Sequence, residues 1–277
     1  HEAPIPKFHS KTLRKRVKPL IREIQPTQVG ETTGKLALYA TCYGNYNSPE
    51  IGQDFIGVFQ HNDIHIDLVP KEKCCGMPKL EHGDLPAVNS QAEKVAAELR
   101  PWVEKGYDVI AMTASCGLML KFEWPLIAPK NKDVEVLAAN TFDITQYMVD
   151  IARKDGLTEG LKPLGKNIAA HLACHARAQN MGQKSADMLK MIPETDVTVI
   201  ERCSGHGGTF GVMKDTYPLA QKVGKNAFRA AARAEVDVIC SDCPLACKHM
   251  AQGVEGEGKP RPVSKHPIQL LAESYGF

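Results

Sequence analysis

The chain has 277 residues, with 34 Lys and Arg against 32 Asp and Glu, and a formal net charge of +2; that near balance gives no general argument for nucleic acid as a partner. Hydrophobic residues are 43% and charged residues 24%, which excludes disordered, collagen-like and low-complexity chains. Nine cysteines are too few for a disulfide scaffold, which carries roughly 8–10%, and unneeded as staples in a chain of this size, so they point to metal.

The first residue is His1 rather than Met, and the chain is expected to be the C-terminal part of a longer polypeptide; the plainer reading is trimming of a short leader. Residues 7–22 carry seven Lys and Arg and no acid. Such a run is usually a solvated face; the alternative is a basic arm touching anionic lipid or an acidic partner. Residues 1–33 are taken together as a basic lead-in. No signal peptide is visible, and no apolar run reaches the roughly 18 residues of a membrane helix. A cytoplasmic chain, peripheral at most on the inner face of the membrane, is expected.

From Gly34 onward, short β-rich runs alternate with helical spacing. Strands are expected at Leu36–Ala40, Ile64–Val69 and Asp108–Met112, then at Ile168–Leu172, Val197–Ile200 and Val236–Ile239. Between them, Ala92–Val103, Met181–Met191 and Val223–Ala234 have helical periodicity. Such alternation predicts an α/β fold with parallel sheets. Gly156 to Gly165, with three Gly and one Pro, is the linker candidate. Two tandem units are expected, residues 34–160 and 161–277.

The units repeat one another. GKLALYATC ends at Cys42 and GKNIAAHLAC at Cys174; CCGMP begins at Cys74 and CSGHGG at Cys203; DVIAMTASCGLMLK contains Cys116 and DVICSDCPLACK contains Cys243. The offsets are 132, 129 and 127 residues. Each cysteine follows a predicted strand, and sites in open parallel sheets form at the carboxyl ends of strands. The first set is Cys42, Cys74, Cys75 and Cys116; the second is Cys174, Cys203, Cys240 and Cys243. Four thiolates suit zinc or an iron–sulfur cluster. Adjacent cysteines strain a single tetrahedral zinc and fit a larger cluster better. Cys247 is left over, one helical turn after Cys243, and reads as a packed core thiol.

The duplicated Cys…CysCysGly…Cys-x-x-Cys pattern resembles the cysteine-rich CCG domains of iron–sulfur oxidoreductases. These include heterodisulfide reductase B-type subunits, glycolate oxidase iron–sulfur subunits and lactate-utilisation proteins. The segments FHSKTLRKR, ATCYGNYN, CCGMPKLEHGD, ASCGLMLK, HLACHARAQNMG, ERCSGHGGTFGVMK, SDCPLACKHM and HPIQLLA are similar above all to C subunits of anaerobic glycerol-3-phosphate dehydrogenases. The resemblance covers about residues 8–277 and implies Rossmann-like units. The full family motif has five cysteines per half. Thr113 stands for one of them in the first half and Ser204 for one in the second.

With four cysteines per half, the expectation is one [4Fe–4S] cluster in each. The resemblance implies electron transfer from a flavin-containing dehydrogenase subunit toward a membrane quinone pool, reached directly or through a partner, with no nucleic acid. Two alternatives stand beside it: cluster-based reduction of a disulfide, as in heterodisulfide reductases, and a zinc-stabilised structural protein. His171, His175 and His206 crowd the second set and are expected to hydrogen-bond cluster sulfide or to replace a missing ligand. Lys121 and Lys248 follow the third cysteine elements, either offsetting cluster charge or solvated. The Gly205–Gly208 loop lacks the spacing of a nucleotide site.

Overall fold

The computed structural model describes residues 3, 5–26, 28, 32–70 and 73–277. The chain divides into two compact units, Phe8–Glu159 and Gly160–Phe277, the second taking in the described residues before Phe8.

The first unit is built on a four-stranded parallel sheet. Its strands are β1 (Lys35–Tyr39), β2 (His65–Leu68), β3 (Asp108–Ala111) and β4 (Thr141–Asp143), in the order β2-β1-β3-β4. β1 runs Leu-Ala-Leu-Tyr and is buried at all four of these residues, because a strand covered on both faces needs an unbroken apolar run. Helix Leu85–Glu104 starts on an Asp84 cap that accepts from the Ala87 N–H. Its stripe of Val88, Ala92, Val95, Ala96 and Leu99 enters one core with Ala37, Tyr39, Val109 and Trp124.

The basic lead-in contributes a short helix, Leu13–Val17, to this unit. Leu13 and Val17 are wholly buried. The Leu13 side chain fills the space that a Cβ at Gly52 would take, so it packs against helix Pro49–His61. Apolar residues four apart bury one face, and the basic side chains take the others.

The second unit repeats the plan. Its strands β5 (Ile168–His171), β6 (Val197–Ile200), β7 (Val238–Cys240) and β8 (Val263–Lys265) are parallel, in the order β6-β5-β7-β8. Helix Tyr217–Arg233 lays Ala227, Phe228, Ala231 and Ala232 on this sheet. In both sheets the chain leaves the first strand to one side and later returns to the other. The crevice between these departures, at the carboxyl ends of the strands, is where α/β sheets hold their ligands.

Neither β4 nor β8 was among the expected strands. Each is three residues, TFD and VSK, too short for a period-two pattern, and each exists by pairing with the strand beside it.

Candidate metal centres

In the first unit, three segments converge at the ends of β1, β2 and β3. Cys42 is the second residue of helix Thr41–Tyr46. Thr41 before it takes φ +61°, a conformation a β-branched residue adopts only when its surroundings hold it there. Its Oγ1 accepts from the Gly44 N–H at 3.1 Å. Cys74 and Cys75 lie in the loop after β2, and Gly76 at φ +88° turns that loop into the next helix. The turn aims the Gly76 N–H at Cys74 Sγ, 3.4 Å away. Trp124 Nε1 donates to the Cys75 carbonyl at 3.1 Å. Cys116 sits in the first turn of helix Ala114–Leu118, which starts from Thr113.

The four thiols form a chain of neighbours. Cys42 hydrogen-bonds Cys74 and Cys74 hydrogen-bonds Cys75, and the Cys75 and Cys116 sulfurs are 3.2 Å apart. Such a chain cannot ionise evenly. The thiols of Cys42 and Cys75 and the Gly76 N–H hold Cys74 down to about 2, whereas the same hydrogen bonds and burial push Cys42 far up. Cys75 is raised by its bonds to Cys116 and Cys74 and by burial, and Cys116 is lowered by Cys75. Cys42 and Cys75 are thus raised by their sulfur neighbours and by burial, and a bound cationic metal core would favour the thiolate at all four. Among the described residues no three His, Cys, Asp or Glu side chains converge on one position for a single ion. Four thiols at one sheet end are the donor set of an iron–sulfur cluster or of zinc. Cys42 and Cys74 are exposed and Cys75 and Cys116 buried. A cavity of about 270 Å³ opens over the exposed pair, with Arg14, Tyr46 and Lys73 at its edge.

The second unit gathers three of its thiols. Cys174 opens helix Cys174–Arg177 and hydrogen-bonds Cys203. Burial, then the neighbouring Cys203, raises Cys174. Cys243 caps helix Pro244–Gly256, where burial raises its thiol, the Ala246 and Leu245 N–H groups lower it, and Cys174 lies within electrostatic reach. The Gly205 N–H reaches Cys203 Sγ at 3.3 Å, the same contact that Gly76 makes in the first unit. Gly205 is at φ +75°, and a Cβ there would meet the Ala220 carbonyl at 2.1 Å. Gly205→Ala is therefore expected to cost about 2 kcal/mol or more, from left-handed backbone strain plus the clash. A urea titration against wild type checks this; an unchanged midpoint would contradict it.

Cys240 is placed differently. It ends β7 wholly buried, with Cys247 and Asp242 as its electrostatic neighbours. Counting cysteines pairs Cys116 with Cys243 and Thr113 with Cys240. The helix starts pair them otherwise: the first full helical bonds run from the Gly117 N–H to the Thr113 carbonyl and from the Cys247 N–H to the Cys243 carbonyl, each at 3.0 Å. Cys243 thus takes the place of Thr113, and Ala246 that of Cys116. The strand registers agree: Asp108 pairs with Leu36 and Val238 with Ile168, six residues before Cys42 and Cys174, so strand and helix are offset alike. Cys247 packs in the core with its Sγ donating to the Ile239 carbonyl at 3.0 Å.

Of the histidines, His171 is buried, with Nε2 3.1 Å from the Arg202 carbonyl and Nδ1 3.1 Å from Ser241 Oγ. Burial drives it down to about 4. His206 is buried against the His249 ring, centroids 5.7 Å apart, and burial followed by that neighbour lowers it to about 4. His175 is half-buried in the helix that Cys174 opens. Lys121 donates to Gln146 Oε1 at 2.8 Å, and Lys248 lies within electrostatic reach of Cys247, whose thiol burial pushes up to about 12. Sequence reasoning passed over Tyr39 and Trp124, both wholly buried and both bonded to backbone of the Cys74–Cys75 loop. An aromatic in an apolar strand gives no sign of its hydroxyl's target.

A family model described as a cysteine-rich domain, CCG, matches twice, at residues 36–121 and 168–251. The chain is 30% identical over 278 residues to the C subunit of the anaerobic glycerol-3-phosphate dehydrogenase of Escherichia coli K12, covering 99% of this chain and 66% of that protein. It is 26% identical to the B subunit of the fumarate reductase (CoM/CoB) of Methanothermobacter marburgensis, over 89% of this chain and 48% of that one. An uncharacterized iron–sulfur protein of Methanocaldococcus jannaschii is 27% identical over 86% of this chain and 45% of its own. The chain thus spans between about half and two thirds of the length of these relatives. The two matches fall on the two sheets and take in all nine cysteines, and the chain belongs to the CCG cysteine-rich domain family.

Proposed function

We propose that this chain is the iron–sulfur electron-transfer part of a multi-subunit oxidoreductase. The observation that carries the reading is the gathering of Cys42, Cys74, Cys75 and Cys116 into one line of sulfurs at the sheet's switch point. The relatives named as dehydrogenase and reductase subunits support it. One [4Fe–4S] cluster per half is the proposed complement. Cys42, Cys74, Cys75 and Cys116 hold the first. Cys174, Cys203 and Cys243 hold the second, with Cys240, wholly buried at the end of β7, as a weaker fourth ligand. A bound cluster supplies reversible one-electron chemistry. The protein's part is to fix the thiolates, to point the Gly76 and Gly205 N–H groups at sulfur, and to keep one side of each site dry while the other faces a partner. Hydrogen bonds to sulfur and burial set potentials in such centres.

The donor proposed is a flavin-containing dehydrogenase subunit, and the acceptor a membrane quinone pool reached directly or through another subunit. No helix among the described residues is long and apolar enough to cross a membrane, so contact with the membrane would be peripheral. Reductive titration of anaerobically purified protein, followed by electron paramagnetic resonance, tests the reading. Two one-electron signals are expected, and protein that takes up no electrons would overturn it.

A further inference from the structure

The two units hold their second cysteine loop by the same device, built from different side chains. Tyr39 ends β1 three residues before Cys42, and its hydroxyl donates to the carbonyl of Lys73, the residue before Cys74. His171 ends β5 three residues before Cys174, and its Nε2 lies 3.1 Å from the carbonyl of Arg202, the residue before Cys203. Both side chains are buried, at 0% and 1% exposure. The contact therefore runs in each unit from the end of the first strand to the residue preceding the second cysteine segment.

The histidine does more. A carbonyl only accepts, so the His171 proton is on Nε2 and Nδ1 is an acceptor. The Ser241 hydroxyl donates to it at 3.1 Å, and Ser241 Oγ in turn accepts the Cys243 N–H at 3.3 Å. One neutral imidazole thus ties the loop carrying Cys203 to the loop carrying Cys243. Tyr39 has a single polar tie, and in that unit Trp124 supplies the other, to the Cys75 carbonyl at 3.1 Å.

We propose that Tyr39 and His171 are equivalent positioning residues, each a strut from the first strand that sets where its unit's second cysteine segment stands. The part of the test done on loaded protein rests on the iron–sulfur reading; the part done on metal-free protein does not.

Hydrogen–deuterium exchange of the metal-free protein is compared for wild type, Tyr39→Phe, Tyr39→His, His171→Leu, His171→Gln and His171→Asn. Losing one net hydrogen bond is expected to speed exchange about tenfold. Tyr39→Phe speeds it around residues 73–76 alone, and Tyr39→His, which restores a donor, recovers part of the protection. His171→Leu speeds it around both 202–205 and 241–244. His171→Gln keeps the donor toward Arg202 and loosens chiefly 241–244, while His171→Asn keeps the acceptor toward Ser241 and loosens chiefly 202–205. In iron-loaded protein each variant shifts the midpoint potential and resonance signal of its own unit's centre, and the other centre serves as the folding control. Unchanged exchange in the Phe and Leu variants, or loosening of both units by either one, would overturn the proposal. Wild-type protein that binds no iron would instead sink the cluster reading and leave the exchange result to decide the struts.

Discussion

Cys116→Ser is expected to remove the first centre, about four of some eight irons, and to leave the second centre's signal unchanged. Cys116 is 5% exposed, its sulfur is 3.2 Å from Cys75, and it is a preferred thiolate of the line, lowered by the Cys75 thiol. Serine at this place offers a far poorer ligand at neutral pH and leaves Cys75 without its partner. Cys203→Ser is expected to do the converse. The second unit adds a gradation. Cys174, Cys203 and Cys243 are already gathered, so loss of any of them should empty the centre. Cys240 stands at the strand end beside Cys247, so Cys240→Ser should retain more iron than Cys203→Ser, and Cys247→Ser should retain it all. Iron and sulfide assays with resonance spectra of each variant read this out. Loss of both centres from either Cys116→Ser or Cys203→Ser would show that the sites are not independent, and equal losses from Cys240→Ser and Cys203→Ser would make Cys240 a full ligand.

The metal-free second unit is expected to lose stability steeply in mild acid. Burial lowers His171 to about 4, His206 to about 4 and His266 to about 3, from an ordinary 6.5. A group whose pKa is depressed by folding binds its proton in the unfolded chain first, so stability is complete above pH 6.5 and falls with pH toward 4. Each such histidine contributes a slope of about 1.4 kcal/mol per pH unit, and three together about 4. The structural consequences are specific. Protonated His266 cannot accept the Ile268 N–H at 3.2 Å, which caps helix Pro267–Tyr275. Protonated His171 cannot accept from Ser241, and a charge on His206 would face His249. Urea titrations between pH 7 and 4.5 test this by circular dichroism. Trp102 and Trp124, both in the first unit, provide a separate fluorescence probe for that unit. His266→Asn keeps a cap acceptor without a titrating ring and should flatten the slope by about a third. A second-unit transition indifferent to pH across this range would contradict the account.

Much of this was legible in the sequence because the physics is local. Apolar runs such as LALY and VIA can be buried only as central strands, and each lies just before a cysteine, so the convergence of distant thiols followed from parallel α/β geometry alone. The C-x-G spacing at Cys74–Gly76 and Cys203–Gly205 passed unread, although its meaning is local: a left-handed glycine turns its N–H back toward the sulfur two residues earlier. What was not legible depended on partners. Strands β4 and β8 exist only through pairing. Cys243 stands at the helix cap, level with Thr113 rather than Cys116, and counting from cysteine to cysteine hid it. His171 read as a donor to sulfide, whereas the fold spends both its nitrogens on backbone and Ser241. Cysteine positions were visible because chemistry marks them; the residues that place them look like core.

The central claim is that these cysteines hold iron and sulfide. Its most direct test is the content of iron, acid-labile sulfide and zinc in chain purified without oxygen. The account predicts about eight irons and as many sulfides per chain, with zinc absent. Stoichiometric zinc without sulfide would contradict it.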